Sequence, residues 1–174
     1  MRIGIDISQT AFSDSGVGIS MTRLVSALIS YDKKNEYILF YSSLRRSIPS
    51  VFKPANNVKV KKIKLPPSAL NLIWNKLHVL PIESLIGDID VFITSDWTEP
   101  PAKRAKKITF VHDLIVYKFP NETAKSIVNT QKRKLTWSIN ESQAFLCPSE
   151  STKKDLHEIL NIPNEKIHVV NWGI

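Results

Sequence analysis

Short apolar runs alternate with longer segments of helical periodicity along almost the entire chain. The first run contains Ile3, Ile5 and Ile7, and branched residues in a short run are typical of a buried strand. The same reasoning predicts strands at residues 2–7, 36–41, 57–65, 91–94, 108–111, 144–147 and 166–170. Apolar residues at helical spacing predict helices after residue 18, from residue 68, at 121–137 and at 152–160. This alternation predicts an α/β fold, with a mostly parallel twisted sheet covered by helices on both faces.

The apolar patterns of two elements predict which of their faces are buried. Residues 57–65 alternate apolar residues with lysines, which indicates an edge strand whose lysines face solvent. The helix that begins at Ser68 has an apolar stripe on one face, formed by Leu70, Ile73, Trp74, Leu77 and Leu80. We expect this stripe to belong to the core, because such stripes are more often buried than bound to a membrane.

Side chains capable of chemistry follow three of the predicted strands. The pair His112 and Asp113 ends the strand at 108–111. Other polar or aromatic residues follow neighbouring strands, namely Asp96, Trp97 and Ser149. In open α/β sheets, ligands bind in the crevice outside the carboxyl ends of the strands, so we expect these residues to share one edge. The plainer alternative is a histidine that only satisfies a backbone group at a strand end.

A glycine-bearing segment connects the first strand to the first helix. It runs from Asp14 through Ser15, Gly16 and Val17 to Gly18. Glycines allow a backbone to approach a phosphate closely, and the following helix presents free N–H groups and the positive end of its dipole. The segment matches neither the G-x-G-x-x-G fingerprint nor a Walker loop, so a purely structural turn stays open as an alternative.

The D-x-D sequence at Asp88 and Asp90 is typical of metal–nucleotide sites in some sugar transferases. Here it precedes the strand at 91–94, which places it at the amino end of that strand, opposite the predicted site. We therefore predict that it forms a structural turn.

Composition and charge narrow the class of protein. The 174 residues suffice for one domain with a sizeable core, and no apolar run approaches the roughly 20 residues that span a bilayer. The start of the chain does not have the pattern of a signal peptide. The single cysteine, Cys147, lies within a predicted strand and outside any metal-spaced Cys/His set, which favours a reduced, cytoplasmic compartment and no bound metal. The net charge of +8 suits an anionic partner, although no nucleic-acid-binding motif is visible, so nucleic acid is disfavoured.

Several of these segments, taken in order, resemble the N-terminal domain of family-four glycosyltransferases, a retaining group with the two-domain GT-B fold. The matching segments are RIGID at 2–6, SGVG at 15–18, NEYILF at 35–40, VHDL at 111–114, CPSEST at 147–152 and IPNEKIHVV at 162–170. The resemblance implies a Rossmann-like domain at residues 1–170, which forms one half of a GT-B fold. Residues 171–174 would begin the linker to a C-terminal donor-binding domain.

The resemblance also implies roles for individual residues. Gly16, Val17 and Gly18 would lie against the phosphates of the donor. His112 would lie beside the transferred sugar, with Asp113 as its orienting partner. The acceptor-side residues would be Asp14, Asp96, Trp97 and Ser149.

The reaction implied is transfer of a hexosyl group from a nucleotide-sugar donor to a glycan or lipid-linked acceptor, with retention of configuration. The family implies no metal or other cofactor. It also implies that this half is inactive alone and that the protein is cytoplasmic, with an anionic membrane surface as a candidate partner.

Two alternatives to this reading stay open at the level of sequence. One is a non-catalytic Rossmann-like module that binds a polyanion or a partner protein through its basic surface. The other is half of a GT-B nucleotide-sugar epimerase.

Overall fold

The computed structural model describes residues 1–94 and 96–171. Within these residues, seven strands form one sheet in the order β3-β2-β1-β4-β5-β6-β7, and every neighbouring pair is parallel. The strands are β1 (Arg2–Asp6), β2 (Glu36–Ser42), β3 (Val58–Ile63), β4 (Val91–Thr94), β5 (Lys106–Phe110), β6 (Ser142–Cys147) and β7 (Ile167–Val169). The predicted parallel α/β sheet is confirmed, and the predicted lysine-bearing edge strand is β3.

Six α-helices are present in the described part of the chain. They are α1 (Gly16–Tyr31), α2 (Pro67–Leu70), α3 (Glu83–Ile86), α4 (Ile115–Lys118), α5 (Lys125–Glu141) and α6 (Glu150–Leu160). Short 3-10 turns occur at Ser8–Ala11 and Asn164–Lys166, and a π-helical turn at Asn71–Lys76 continues α2.

Side chains along β2 alternate between two hydrophobic clusters, so both faces of the sheet are covered. Tyr37 and Leu39 pack in a cluster with Met21 of α1. Phe40 belongs to a second cluster with Trp74, and the two ring centroids lie 5.5 Å apart. The continuous apolar sequence of β2 follows from this double burial, because a strand covered on both faces cannot alternate with polar residues.

The segment between β1 and α1 differs from the prediction. The polar loop predicted at residues 8–15 contains the 3-10 turn Ser8–Ala11, and α1 begins at Gly16 rather than after Gly18. The Ser15 hydroxyl accepts a hydrogen bond of 3.0 Å from the N–H of Gly18 and so caps the helix. The three residues 16–18 are therefore the first turn of a helix.

The predicted helix from residue 68 is wrong at its C-terminal end. After α2 the chain forms the π-helical turn, in which the Leu77 N–H bonds to the Leu72 carbonyl five residues earlier. The wider turn breaks the helical spacing on which the stripe was based. Leu77 is 60% exposed and Leu80 is 39% exposed, so neither belongs to the core.

The helix predicted at 121–137 begins later and ends later, as α5 at Lys125–Glu141. Its last turn is held by Glu141, which bonds to His78 at 2.7 Å and pairs with the buried Lys107. These partners are distant in sequence, so the local pattern did not indicate them. Asp90 has the predicted structural role, since its Oδ2 accepts a hydrogen bond of 2.7 Å from the Arg2 N–H at the amino edge of the sheet.

Candidate functional site

The centre of the sheet contains a change in winding direction. Strand β1 lies between β2 and β4, so the connection after β1 runs to one side while the later strands are added on the other. In doubly wound sheets the crevice at such a switch point is where ligands bind. The segments after β1, β4 and β5 meet here, and they contain the residues predicted from the sequence except Ser149, which follows β6.

Hydrogen bonds connect the segment after β1 to the segment after β4. The carbonyl of Gln9 accepts a bond of 3.0 Å from the Phe12 N–H, and its side-chain Oε1 accepts one of 3.0 Å from the Asp96 N–H. Gln9 is buried, although the sequence placed it in a polar loop. It joins the approach to α1 with the candidate residue Asp96, and nothing in the local pattern indicated this role.

The two glycines at the start of α1 have different surroundings. A Cβ on Gly18 would lie 2.2 Å from the Phe12 carbonyl oxygen, so packing alone requires a glycine there. A Cβ on Gly16 would meet no described atom within 4 Å. The alternative of a purely structural turn therefore accounts for Gly18, which is buried. Gly16 is exposed and Val17 is half-buried, so these two residues form the accessible part of the helix N-terminus.

A cation lies beside this turn and was not identified from the sequence. Arg46 donates a hydrogen bond of 2.6 Å from Nη1 to the Ala11 carbonyl, and its guanidinium lies 5.0 Å from the centre of the Phe12 ring. Asp14 is exposed on the same segment, where its Oδ1 accepts a hydrogen bond of 3.3 Å from Ser13. The positive charge of Arg46 adds to the helix dipole at this position.

His112 follows β5 at the same edge of the sheet and is half-buried. Its ring stacks on Phe110, with centroids 5.3 Å apart. Burial lowers the pKa of the imidazole below its ordinary value, and the charge of Lys134 lowers it further, while Asp96 and Asp113 act in the opposite direction. The net direction favours a neutral imidazole, which both donates and accepts hydrogen bonds.

Asp113 is exposed, and its Oδ1 accepts a hydrogen bond of 3.0 Å from the Ile115 N–H at the start of α4. Its carboxylate therefore stabilises a turn. Its charge also raises the pKa of His112. The orienting role predicted for Asp113 stays a prediction.

Ser149 is the N-cap of α6 and contacts His112 through one intermediate residue. Its Oγ accepts a hydrogen bond of 3.1 Å from the Thr152 N–H, and the Thr152 hydroxyl donates one of 3.2 Å to the His112 carbonyl. The cap fixes the start of α6 against the end of β5.

Asp96 and Trp97 follow β4. Ser95, the residue that directly follows this strand, lies outside the described residues. The Asp96 Oδ2 accepts a hydrogen bond of 3.3 Å from Gln131 of α5. The Trp97 carbonyl accepts one of 2.8 Å from Asn75, while its indole ring is partly exposed. Helix α5 and the π-helical turn thus hold this segment from two sides.

A buried polar network lies beneath the site and was missed at the level of sequence. Its centre is Glu99, whose Oε2 accepts hydrogen bonds from Thr94 at 3.0 Å, Thr109 at 3.1 Å and Ser138 at 2.7 Å. The other oxygen of Glu99 lies 2.9 Å from the Nζ of Lys107. The network connects α5 to β4 and β5 directly below the candidate site.

Basic residues cluster at 103–107 and 132–134, and each of these clusters contains one buried lysine. Lys107 is buried within the Glu99 network. Lys134 is 1% exposed, and burial lowers the pKa of its ammonium group, with Glu99 and Asp96 opposing that effect. Its position one residue before Leu135, on the buried side of α5, is the only local signal that could have indicated burial.

The described residues form neither a cluster of metal ligands nor a membrane-spanning helix. No group of three or more His, Cys, Asp or Glu side chains in residues 1–94 and 96–171 is arranged to hold a metal ion. No helix formed by these same residues has the length and apolar character required to cross a bilayer.

Comparison with known proteins identifies the family. No curated protein matches the chain in sequence. Among solved structures, it is similar to a short-chain dehydrogenase/reductase from Veillonella parvula DSM 2008, with 10% identity, a TM-score of 0.48 and coverage of 84% of this chain and 66% of that one. The family model for Glycosyltransferase Family 4 matches residues 15–174, which is nearly the whole chain. The chain therefore belongs to glycosyltransferase family 4.

Proposed function

We propose that this chain is the acceptor-side half of a retaining glycosyltransferase, which transfers a hexosyl group from a nucleotide sugar to a glycan or lipid-linked acceptor. The observation that carries the proposal is the position of His112. It lies at the carboxyl end of β5, near the switch point of the sheet, with Asp96 close enough to affect its pKa. Such an edge is where an α/β sheet binds its ligand.

The donor's diphosphate would bind at the first turn of α1. Gly16 and Val17 leave the helix N-terminus accessible, and Arg46 adds a positive charge beside it. Backbone N–H groups and the helix dipole favour negative charge at this position. As the bond to the transferred sugar breaks, the departing nucleoside diphosphate gains charge, which these groups would stabilise. One such oriented group contributes on the order of 3 kcal/mol.

His112 would bind the transferred sugar as a neutral imidazole. A neutral ring donates a hydrogen bond from one nitrogen and accepts one at the other, so it suits a hydroxyl group better than a phosphate. Asp113 would hold the turn that follows. On this proposal no metal or cofactor takes part, since the protein groups supply the charge stabilisation.

The organisation of the whole protein is also part of the proposal. Residues 1–170 form the acceptor-side domain, and residues 171–174 lead to a donor-binding domain without which the half is inactive. Of these linker residues, 172–174 lie outside the described part. We place the protein in the cytoplasm, in polysaccharide biosynthesis, with its net charge of +8 drawing it to the inner face of an anionic membrane.

The test is turnover by the complete two-domain protein with a panel of nucleotide sugars. His112→Ala is expected to lower kcat by about 100-fold or more. His168→Ala provides the matched control, because His168 is an exposed histidine on β7. Equal turnover by wild type and the folded His112→Ala protein would contradict the proposal.

Product analysis in the same assay separates the two alternatives. A new glycoside with retained configuration supports the transferase. An epimerised nucleotide sugar without a glycoside would indicate the epimerase. If the chain is a binding module, neither product should form. Such a module should instead bind a polyanion such as heparin in a salt-dependent way.

A further inference from the structure

A small groove lies beside the candidate site, between the first turns of α2 and α5 and the segment after β4. Its volume is about 230 Å³. Among the side chains that line it are those of Asn71, Trp97, Ile127 and Thr130. None of the described residues that line it is charged. Trp97 was among the residues predicted from the sequence, whereas the groove was not.

The volume of the groove restricts the size of its ligand. Pockets for drug-sized molecules measure about 300–1,000 Å³, so this groove is too small for a nucleotide sugar. It is of the size expected for a single sugar ring or a comparable small group.

The lining combines a flat apolar face with short polar groups. Trp97 is 39% exposed and Ile127 is 38% exposed, so both residues present apolar surface to solvent at the groove. Ser68, Ser126 and Thr130 add hydroxyl groups at its margin. An indole with polar neighbours suits a ligand that is apolar on one face and polar at its edge, as a pyranose ring is.

The groove is held in shape by hydrogen bonds from behind. Asn75 donates bonds of 2.8 Å to the Trp97 carbonyl and 3.0 Å to the Asn71 Oδ1. The Asn75 Oδ1 accepts a bond of 3.0 Å from the Glu99 N–H. One buried side chain thus fixes two of the three walls, and fixed walls reduce the entropy lost on binding.

The groove adjoins the candidate site through two adjacent pairs of residues. Trp97 directly follows Asp96, and Thr130 directly precedes Gln131, which bonds to the Asp96 carboxylate at 3.3 Å. The Asp96 carboxylate is not part of the groove lining, but it belongs to the same segment as Trp97. That carboxylate would repel an anionic ligand and accept hydrogen bonds from hydroxyl groups.

We propose that this groove binds one neutral pyranose ring of the acceptor, stacked on Trp97. The inference rests on the proposed function and specifies the class of acceptor. A phosphate or uronate group is excluded from the groove, because its lining supplies no cation to balance the charge.

The experiment is a titration of the 174-residue chain with methyl pyranosides of glucose, galactose, mannose and N-acetylglucosamine. Methyl glucuronopyranoside is the anionic counterpart. The readout is the NMR signal of the Trp97 indole N–H, assigned from its loss in Trp97→Phe. At least one neutral pyranoside is expected to shift this signal with saturation, and the uronide to bind about tenfold more weakly or worse.

Two variants and one control show whether the Trp97 indole is responsible for pyranoside binding. Calorimetry measures the binding of all three proteins. Trp97→Ala is expected to weaken binding of the best neutral pyranoside about tenfold, whereas Trp97→Phe, which keeps a flat ring, is expected to stay within about threefold of wild type. Tyr31→Ala removes an exposed aromatic ring at the end of α1 and is expected to bind as wild type.

Three results would overturn the inference: no saturable shift with any neutral pyranoside up to its solubility limit, equal affinity for the uronide, or unchanged binding by Trp97→Ala. The turnover assay is independent of this titration. Binding without turnover would remove the transferase and leave the sugar groove, whereas turnover without binding would remove the groove alone.

Discussion

The ammonium group of Lys134 donates a hydrogen bond of 3.0 Å to the carbonyl oxygen of Phe110, two residues before His112. A lysine within helix α5 thus places a buried positive charge at the end of β5. The same charge lowers the pKa of His112. Lys134 is therefore a positioning residue, which affects the candidate site through the Phe110 carbonyl and the pKa of His112.

Replacing Lys134 is expected to change the titration of His112. Removal of a nearby positive charge favours the imidazolium, so Lys134→Met should raise the pKa of His112. Asp96→Asn should lower it, because the Asp96 carboxylate favours the charged ring. NMR titration of the ring C–H signals measures both shifts. Lys132→Met on the same helix is the control, and a shift of equal size in that variant would argue against a specific effect of Lys134.

Protonation of His112 should also make stability depend on pH. The ordinary histidine pKa is 6.5, and the folded-state pKa lies below it. Below pH 6.5 the unfolded chain takes up a proton that the folded chain resists, so the free energy of unfolding should fall as pH decreases toward the folded-state pKa. Above pH 6.5 the contribution of His112 to the free energy of unfolding is fully present. Urea unfolding of wild type and His112→Asn checks this, since the variant should show a flatter profile in that window.

The two glycines of α1 should respond in opposite ways to the same substitution. Gly18→Ala forces a methyl group against the Phe12 carbonyl and should destabilise the chain by about 2 kcal/mol or more. Gly16→Ala meets open space and should leave thermal stability unchanged or slightly raised. If Gly16 lies against the donor phosphates, the stable Gly16→Ala protein should nevertheless lose turnover. Equal thermal stability of the two variants would contradict the assigned contacts.

The network around Glu99 should be sensitive to loss of its cation. Lys107→Met leaves the buried carboxylate without its ion pair and should destabilise the chain by about 3–5 kcal/mol. The double variant Lys107→Met/Glu99→Gln removes both charges and should recover part of this loss. Urea unfolding measures both proteins, with the exposed Lys154→Met as control. A double variant no more stable than the single one would show that the ion pair is not the cause.

Local pattern was sufficient for the sheet and for the edge on which the candidate residues lie. Apolar runs such as that of β2 specify buried strands, and the carboxyl ends of parallel strands meet at one edge. His112 and Asp96 could therefore be assigned to the same region from their positions after β5 and β4.

Groups whose partners are distant in sequence could not be predicted in the same way. Lys134 reads as one of three consecutive basic residues, and its burial depends on the Phe110 carbonyl and on Glu99. The π-helical turn is similar, because the Asn75 side chain at its end bonds to Trp97 and Glu99. Local propensity contains no information about such contacts.

The order of the strands also has a consequence for synthesis of the chain. After β1, β2 and β3, the remaining strands join the sheet beyond β1 in the order in which they leave the ribosome. Each new strand pairs with the edge left by the preceding one, and every parallel pairing requires closure of a long connection. The newest strand is therefore unpaired on its outer side until the next strand joins, and β6 stays unpaired there until β7 pairs with it. Slow translation or a pause before β7 would prolong this exposure, and the nascent chain would then be most prone to aggregate.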